Sequence, residues 1–156
     1  MMIYRAFSNL ALGVALLLGN THSAEAKWLL TAQEAELIGK QSQMQEPAAS
    51  KPGNGPKILV SNPKLLSKVT PPIDISVSFT PGQSGHQPDM KSLKVIVVGF
   101  FDFDITDRVR EYLHGTKLDV KDAAFPSGRH RIRMHIKDKQ GNPNEKDLIV
   151  TVANGD

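Results

Sequence analysis

Residues 125–142 read FPSGRHRIRMHIKDKQGN. Arg129, Arg131, Arg133, His135 and Lys137 take every second position, and His130, Ile132, Met134 and Ile136 fill the places between. Side chains on an extended chain point alternately to opposite faces. The run therefore predicts a β-strand with one basic face and one aliphatic face, the latter buried against a second layer.

The same period of two recurs on either side. IDISVSF (73–79) sets Ile73, Ile75, Val77 and Phe79 inward and Asp74, Ser76 and Ser78 outward. KILVSNP (57–63) is a shorter strand with Ile58 and Val60 on one face, stopped by Asn62-Pro63. LKVIVVGF (93–100) is apolar on both faces, as a central strand is, and PGQSGHQPDMKS (81–92) before it reads as a loop. TKLDV (116–120) predicts a short edge strand, and DLIVTV (147–152) a last one, joined to the basic strand through the hairpin-type loop KQGNPNEK (139–146). Short strands with turn signals between them, and no long helices, predict a two-sheet sandwich. One segment breaks the pattern: DITDRVREYLHG (104–115) spaces Val109, Tyr112 and Leu113 helically and ends at Gly115, which predicts a helical turn or two crossing between the sheets.

Two stretches resemble bacterial immunoglobulin-like domains. DMKSLKVIVVGFFDFDIT (89–106) is similar to their Ser-led middle strand, followed by a turn and an Asp-Ile-Thr step. The opening stretch matches their penultimate strand, Pro-x-Gly-x-His, alternating apolar residues, then Asp-x-x-Gly-Asn. Those positions are Pro126, Gly128, His130, Ile132, Met134, Ile136, Asp138, Gly141 and Asn142. The resemblance covers about residues 57–154 and implies an all-β, immunoglobulin-like antiparallel sandwich of about seven strands. It says little about function, because such sandwiches serve adhesion, spacing and sugar binding alike. The cysteine pair and third-strand Trp of antibody-type domains are missing.

The N-terminal residues MMIYRAFSNLALGVALLLGNTHSAEA have the order of a secretory signal: Arg5, a mostly apolar run from Ala6 to Gly19, then Ala24-Glu25-Ala26 with small residues at the cleavage positions. The apolar run is shorter than the ~20 residues a spanning helix needs. Residues 1–26 are therefore expected to be a signal peptide cleaved after Ala26, with export to the periplasm or beyond and no transmembrane segment in the mature chain. WLLTAQEAELIGK (28–40) carries a capping box, Thr31 with Glu34, and predicts a short amphipathic helical arm over 27–40, docked or frayed. QSQMQEPAASKPGNGPK (41–57) lacks the apolar residues to order itself, so 41–56 reads as a flexible linker and 57–156 as the sandwich.

With no cysteine, stability must come from the hydrophobic core alone. The formal charge of +3 is too small to imply a nucleic-acid partner, and no aromatics interleave with the bases. Ser61-x-x-Lys64 formally matches an acylating pattern, but Pro63 and a strand end deny it the helix N-terminus it needs. The histidines lack zinc-ligand spacing, and no nucleophile elbow or phosphate-binding glycine loop is present.

Two candidate sites stand out. Arg129, Arg131, Arg133, His135 and Lys137 form either a solvated face paired with acids such as Asp147, Asp119 and Asp122, or a strip for an anionic or protein partner. One-face positions recur every ~6.6–6.8 Å, a spacing suited to repeated charges on a polymer. Asp102, Asp104 and Asp107 are candidate calcium ligands, although the stretch lacks the turn glycine and terminal Glu of an EF-hand loop. The reading is a non-catalytic exported module of the bacterial cell envelope, without cofactor, binding an envelope protein or anionic glycan. A carbohydrate-binding or calcium-dependent adhesion domain is the alternative, and a small hydrolase ranks third.

Overall fold

The computed structural model describes residues 27–42, 49–64, 68–99 and 101–153. The expected signal segment, 1–26, lies outside the described residues. Among the described residues, ten strands and two helices follow in chain order: β1 (Lys27–Trp28), α1 (Ala32–Ser42), β2 (Lys57–Asn62), β3 (Lys68–Val69), β4 (Ile73–Thr80), β5 (Pro88–Val98), β6 (Phe103–Asp104), α2 (Thr106–Arg110), β7 (Leu113–His114), β8 (Lys117–Ala124), β9 (Gly128–Asp138) and β10 (Pro143–Val152). They form two five-stranded sheets. The first runs β1-β8-β4-β2, with β7 also on β8; the second runs β3-β10-β9-β5-β6.

This strand order is that of an immunoglobulin-like sandwich. Such folds place strands A, B and E in one sheet and C, F and G in the other. Here β2, β4 and β8 occupy the first set and β5, β9 and β10 the second. After Asn62-Pro63 the chain leaves the first sheet, and β3 joins the second sheet parallel to β10.

The alternation in the sequence becomes the core. Ile73, Ile75, Val77 and Phe79 of β4 face Ile132, Met134 and Ile136 of β9, and all are buried. Each large side chain so buried contributes roughly 1.5–3 kcal/mol. The apolar void left between the sheets is about 20 Å³, lined by Leu29, Ile105, Val109, Phe125, Ile132 and Leu148 among others. That is room for a water molecule at most, and its apolar walls offer none of the hydrogen bonds a water needs.

The predicted crossing helix is α2, which carries the chain from β6 in the second sheet to β7 in the first. Val109 and Ile105 fix it to the core. The Asp-Ile-Thr step does structural work here. Thr106 Oγ1 accepts from Val95 N at 2.9 Å, Ile105 N donates to Val95 O at 2.9 Å, and Asp104 Oδ1 accepts from Thr106 N at 2.8 Å.

Three expectations change. First, the arm is part of the sandwich. β1 pairs in parallel with β8, and Leu29 and Leu30 are buried in the core, so the packed unit includes residues well ahead of Lys57. The capping box forms as predicted, Thr31 N to Glu34 Oε2 at 2.8 Å and Glu34 N to Thr31 Oγ1 at 3.3 Å. The same carboxylate then grips Arg108 through two bonds, 2.8 and 2.6 Å, while Arg108 also donates to Leu29 O. Glu34 is held down to about pKa 2, mainly by the Arg108 hydrogen bonds, with burial opposing and Thr31 assisting. At its far end α1 rests on bare backbone: a Cβ at Gly99 would lie 2.6 Å from Ile38 Cγ2.

Second, residues 49–56 of the expected linker are laid along β10. Ser50 N, Lys51 N and Gly53 N donate to the side chains of Asp147, Glu145 and Asn144, and Gly55 N to Pro143 O. The two glycines are there for close approach: a Cβ would come within 2.1 Å of Pro143 O at Gly53 and 2.3 Å of Asn142 O at Gly55. Residues 43–48 lie outside the described residues. Third, the strand expected at 116–120 reaches Ala124, and β5 and β10 begin at Pro88 and Pro143, inside the predicted loops. In the first sheet β8 lies between β4 and β1, not at an edge.

Candidate functional site

The basic row lies on β9, the middle strand of the second sheet, with β10 on one side and β5 on the other. Arg129, Arg131, Arg133, His135 and Lys137 share the outer face, as their spacing predicts, because His130, Ile132, Met134 and Ile136 are buried on the inner one. Arg129 and Lys137 are exposed; Arg131, Arg133 and His135 are half-buried among neighbouring side chains.

Register decides what each cation meets. Arg133 stands opposite Asp147, and the two form a fork, Nε to Oδ1 at 2.8 Å and Nη2 to Oδ2 at 3.0 Å. That bond raises the Arg133 pKa, with burial opposing it. His135 stands opposite Glu145, its Nδ1 3.2 Å from Oε1. Glu145 is held below the usual carboxylate range chiefly by the Lys51 N–H, with burial opposing and His135 assisting. The centre of the row is thus paired with carboxylates of β10, which also accept from the backbone N–H groups of Ser50 and Lys51.

Asp147 therefore plays the predicted role, whereas Asp119 and Asp122 do not. Both belong to the first sheet, where Asp119 accepts from Ser76 Oγ at 2.6 Å and Asp122 N donates to Asp74. Glu145 was missed, although a hairpin register centred on Gln140 places it across from His135. Lys68 and Lys94, which share this face with the row, were missed too. Only strand pairing brings them there: Lys68 beside Thr151 and Lys94 beside His135.

Asp102, Asp104 and Asp107 are not gathered into a cation site. Asp104 is used on Thr106, whose hydrogen bonds lower its pKa. Asp107 is solvent-facing and pairs with Arg110 at 3.6 Å. Asp102 acts electrostatically on Arg133 instead. Among the described residues no three His, Asp or Glu side chains are grouped to hold a metal.

Two buried polar side chains of β9 serve the fold. Asp138 accepts from Ser84 Oγ, Asn142 Nδ2, Gln140 N and Asn142 N, at 2.6 to 2.9 Å. A carboxylate offers about four acceptor positions, so all are taken and none is left for a substrate proton. Burial would push this carboxyl up, but those donors outweigh it and hold it far below the ordinary range. His130 Nε2 lies 2.7 Å from Pro126 O, a pure acceptor, so that nitrogen carries the proton. Burial lowers the His130 pKa, with this hydrogen bond opposing. The Pro-x-Gly-x-His and Asp-x-x-Gly-Asn patterns are thus the two turn closures at the ends of β9.

No family model matches the chain, and no curated protein does. Among solved structures it is similar to the PKD domain of the human VPS10 domain-containing receptor SorCS2, at 16% identity and a TM-score of 0.36, with 98% of each chain covered. The immunoglobulin-like assignment rests on the strand order of the two sheets.

Proposed function

We propose that this chain is a non-catalytic interaction module, exported to the cell envelope, that binds an anionic partner through the outer face of β5, β9 and β10. The observation that carries the reading is the single file of basic side chains on a central strand, with Arg129 and Lys137 exposed at its two ends. A central strand is held on both sides, so its outward charges keep fixed spacing and lose little freedom on binding. The order of residues 1–26 supports export, and no helix among the described residues is long and apolar enough to cross a membrane.

Retention on a sulfated-polysaccharide resin at low ionic strength tests this reading. Elution should come with rising salt, because exposed ionic contacts weaken as the screening length contracts from ~10 Å at 0.1 M to ~3 Å at 1 M. Passage through sulfated, phosphorylated and uronate resins alike, at every salt concentration, would refute an anionic partner.

A further inference from the structure

Charge is unevenly divided along the outer face of the second sheet. Cross-strand register arranges the face in rows. Three rows contain acids opposite or beside their bases: Asp147–Arg133–Ile96–Asp104, Glu145–His135–Lys94, and Lys137 with Asp89. Among the described residues, the last row at the other end, Lys68–Thr151–Arg129, pairs no acid across its strands; the row before it is Ile149–Arg131–Val98. The inward neighbours of that last row, Val152 and His130, are buried, which fixes its own side chains outward. Lys68 and Arg129 are exposed, and neither makes an ion pair among the described residues.

We infer that Lys68, Thr151 and Arg129 form a subsite for a tetrahedral oxyanion, a sulfate or phosphate ester carried on an anionic polymer. The inference rests on the anionic-partner reading above. It adds the site and the chemistry that site selects. Three adjacent strands, with backbones ~4.8 Å apart, carry an ammonium, a hydroxyl and a guanidinium at paired positions. The two long cationic side chains flank the short hydroxyl and can fold over a group resting on it. A sulfate or phosphate ester offers three terminal oxygens, one for each donor, whereas a carboxylate offers two. Arg is suited to paired contacts with such oxygens and Lys to a single charged one. Arg133 and His135, the centre of the row in sequence, are already committed to Asp147 and Glu145 and contribute little.

The test is fluorescence anisotropy with labelled heparin oligosaccharide, polyphosphate and oligogalacturonate, at fixed low salt. The double variant Lys68→Gln/Arg129→Gln should bind the sulfated or phosphorylated probe about tenfold more weakly, the loss of two exposed ionic contacts. Lys57→Gln/Lys117→Gln, two exposed bases of the first sheet, removes the same charge and should stay within about twofold of wild type, by the same scale. Thr151→Val, which changes no charge, should weaken the ester probes and leave the weaker carboxylate probe unmoved. The tighter of heparin and polyphosphate identifies the source of the ester. Equal losses in the two double variants would overturn the subsite while leaving an anionic partner intact. Wild-type chain that binds none of the three probes would overturn both.

Discussion

Substituting Glu34 by Gln isolates one contact that ties the N-terminal arm to the sandwich. Glutamine still serves the capping box with Thr31, so the helix start is preserved and only the charge opposite Arg108 is lost. The carboxyl is lowered from 4.5 to about 2 in the fold, and at 1.36 kcal/mol per unit this shift sets a ceiling of about 3.4 kcal/mol. The Glu34 side chain is 16% exposed but that of Arg108 is 37% exposed, so solvent screens part of the attraction. About 1–2 kcal/mol at pH 7 is the expected loss. The folded pKa is depressed, so this stability is fully present above the ordinary pKa of 4.5 and disappears as pH falls through about 2. Urea unfolding of wild type and Glu34→Gln, followed by Trp28 fluorescence and circular dichroism, should show a gap at pH 7 that closes between pH 4.5 and 2. A gap below about 0.3 kcal/mol at pH 7, or one that persists unchanged at pH 2, refutes the fork as a staple of the arm.

Leu30→Ala should cost about 2–5 kcal/mol in the same assay, because the side chain is fully buried although it precedes the first long strand; a change under 0.5 kcal/mol, the size of a surface substitution, would mean the arm is not part of the core. Gly82→Ala would place a Cβ 1.7 Å from Gly55 O, so two backbones must part. It should lower stability by about 1–3 kcal/mol and expose residues 49–56 to protease, and an unchanged cleavage pattern would contradict the close approach. His130 is kept neutral by burial, so between its lowered folded pKa and the ordinary histidine value of 6.5 the unfolded chain binds the extra proton and stability declines with acidity. His130→Gln should flatten the stability profile between pH 7 and 5, a window separate from that of Glu34; an identical slope in the variant would assign the acid sensitivity elsewhere.

How much was legible in the chain differs by feature. The inward residues of β4 and β9 could be read directly, because period-two alternation is a local property. The capping box of α1 and the crossing helix α2 were equally local. Gly53 and Gly55 read as linker residues, since composition does not distinguish a glycine that confers freedom from one that lets two backbones meet. Their partners, Pro143 and Asn142, lie some ninety residues on. The candidate strip was found by its spacing, yet its energetic division was hidden. Asp147 and Glu145 pair with its centre through a hairpin register, and Lys68 reaches its end by a strand that changes sheets.

The sequence by itself determined the strand periodicity, the buried and outward faces, and the need for a core without disulfides, because each follows from neighbours a few positions apart. Only the tertiary structure decided that the arm at Lys27–Ser42 belongs to the sandwich, that residues 49–56 line β10, and which cations stand opposite a carboxylate. Those outcomes depend on contacts between residues distant in the chain, and pairing, register and desolvation are settled only when the two sheets close on one another.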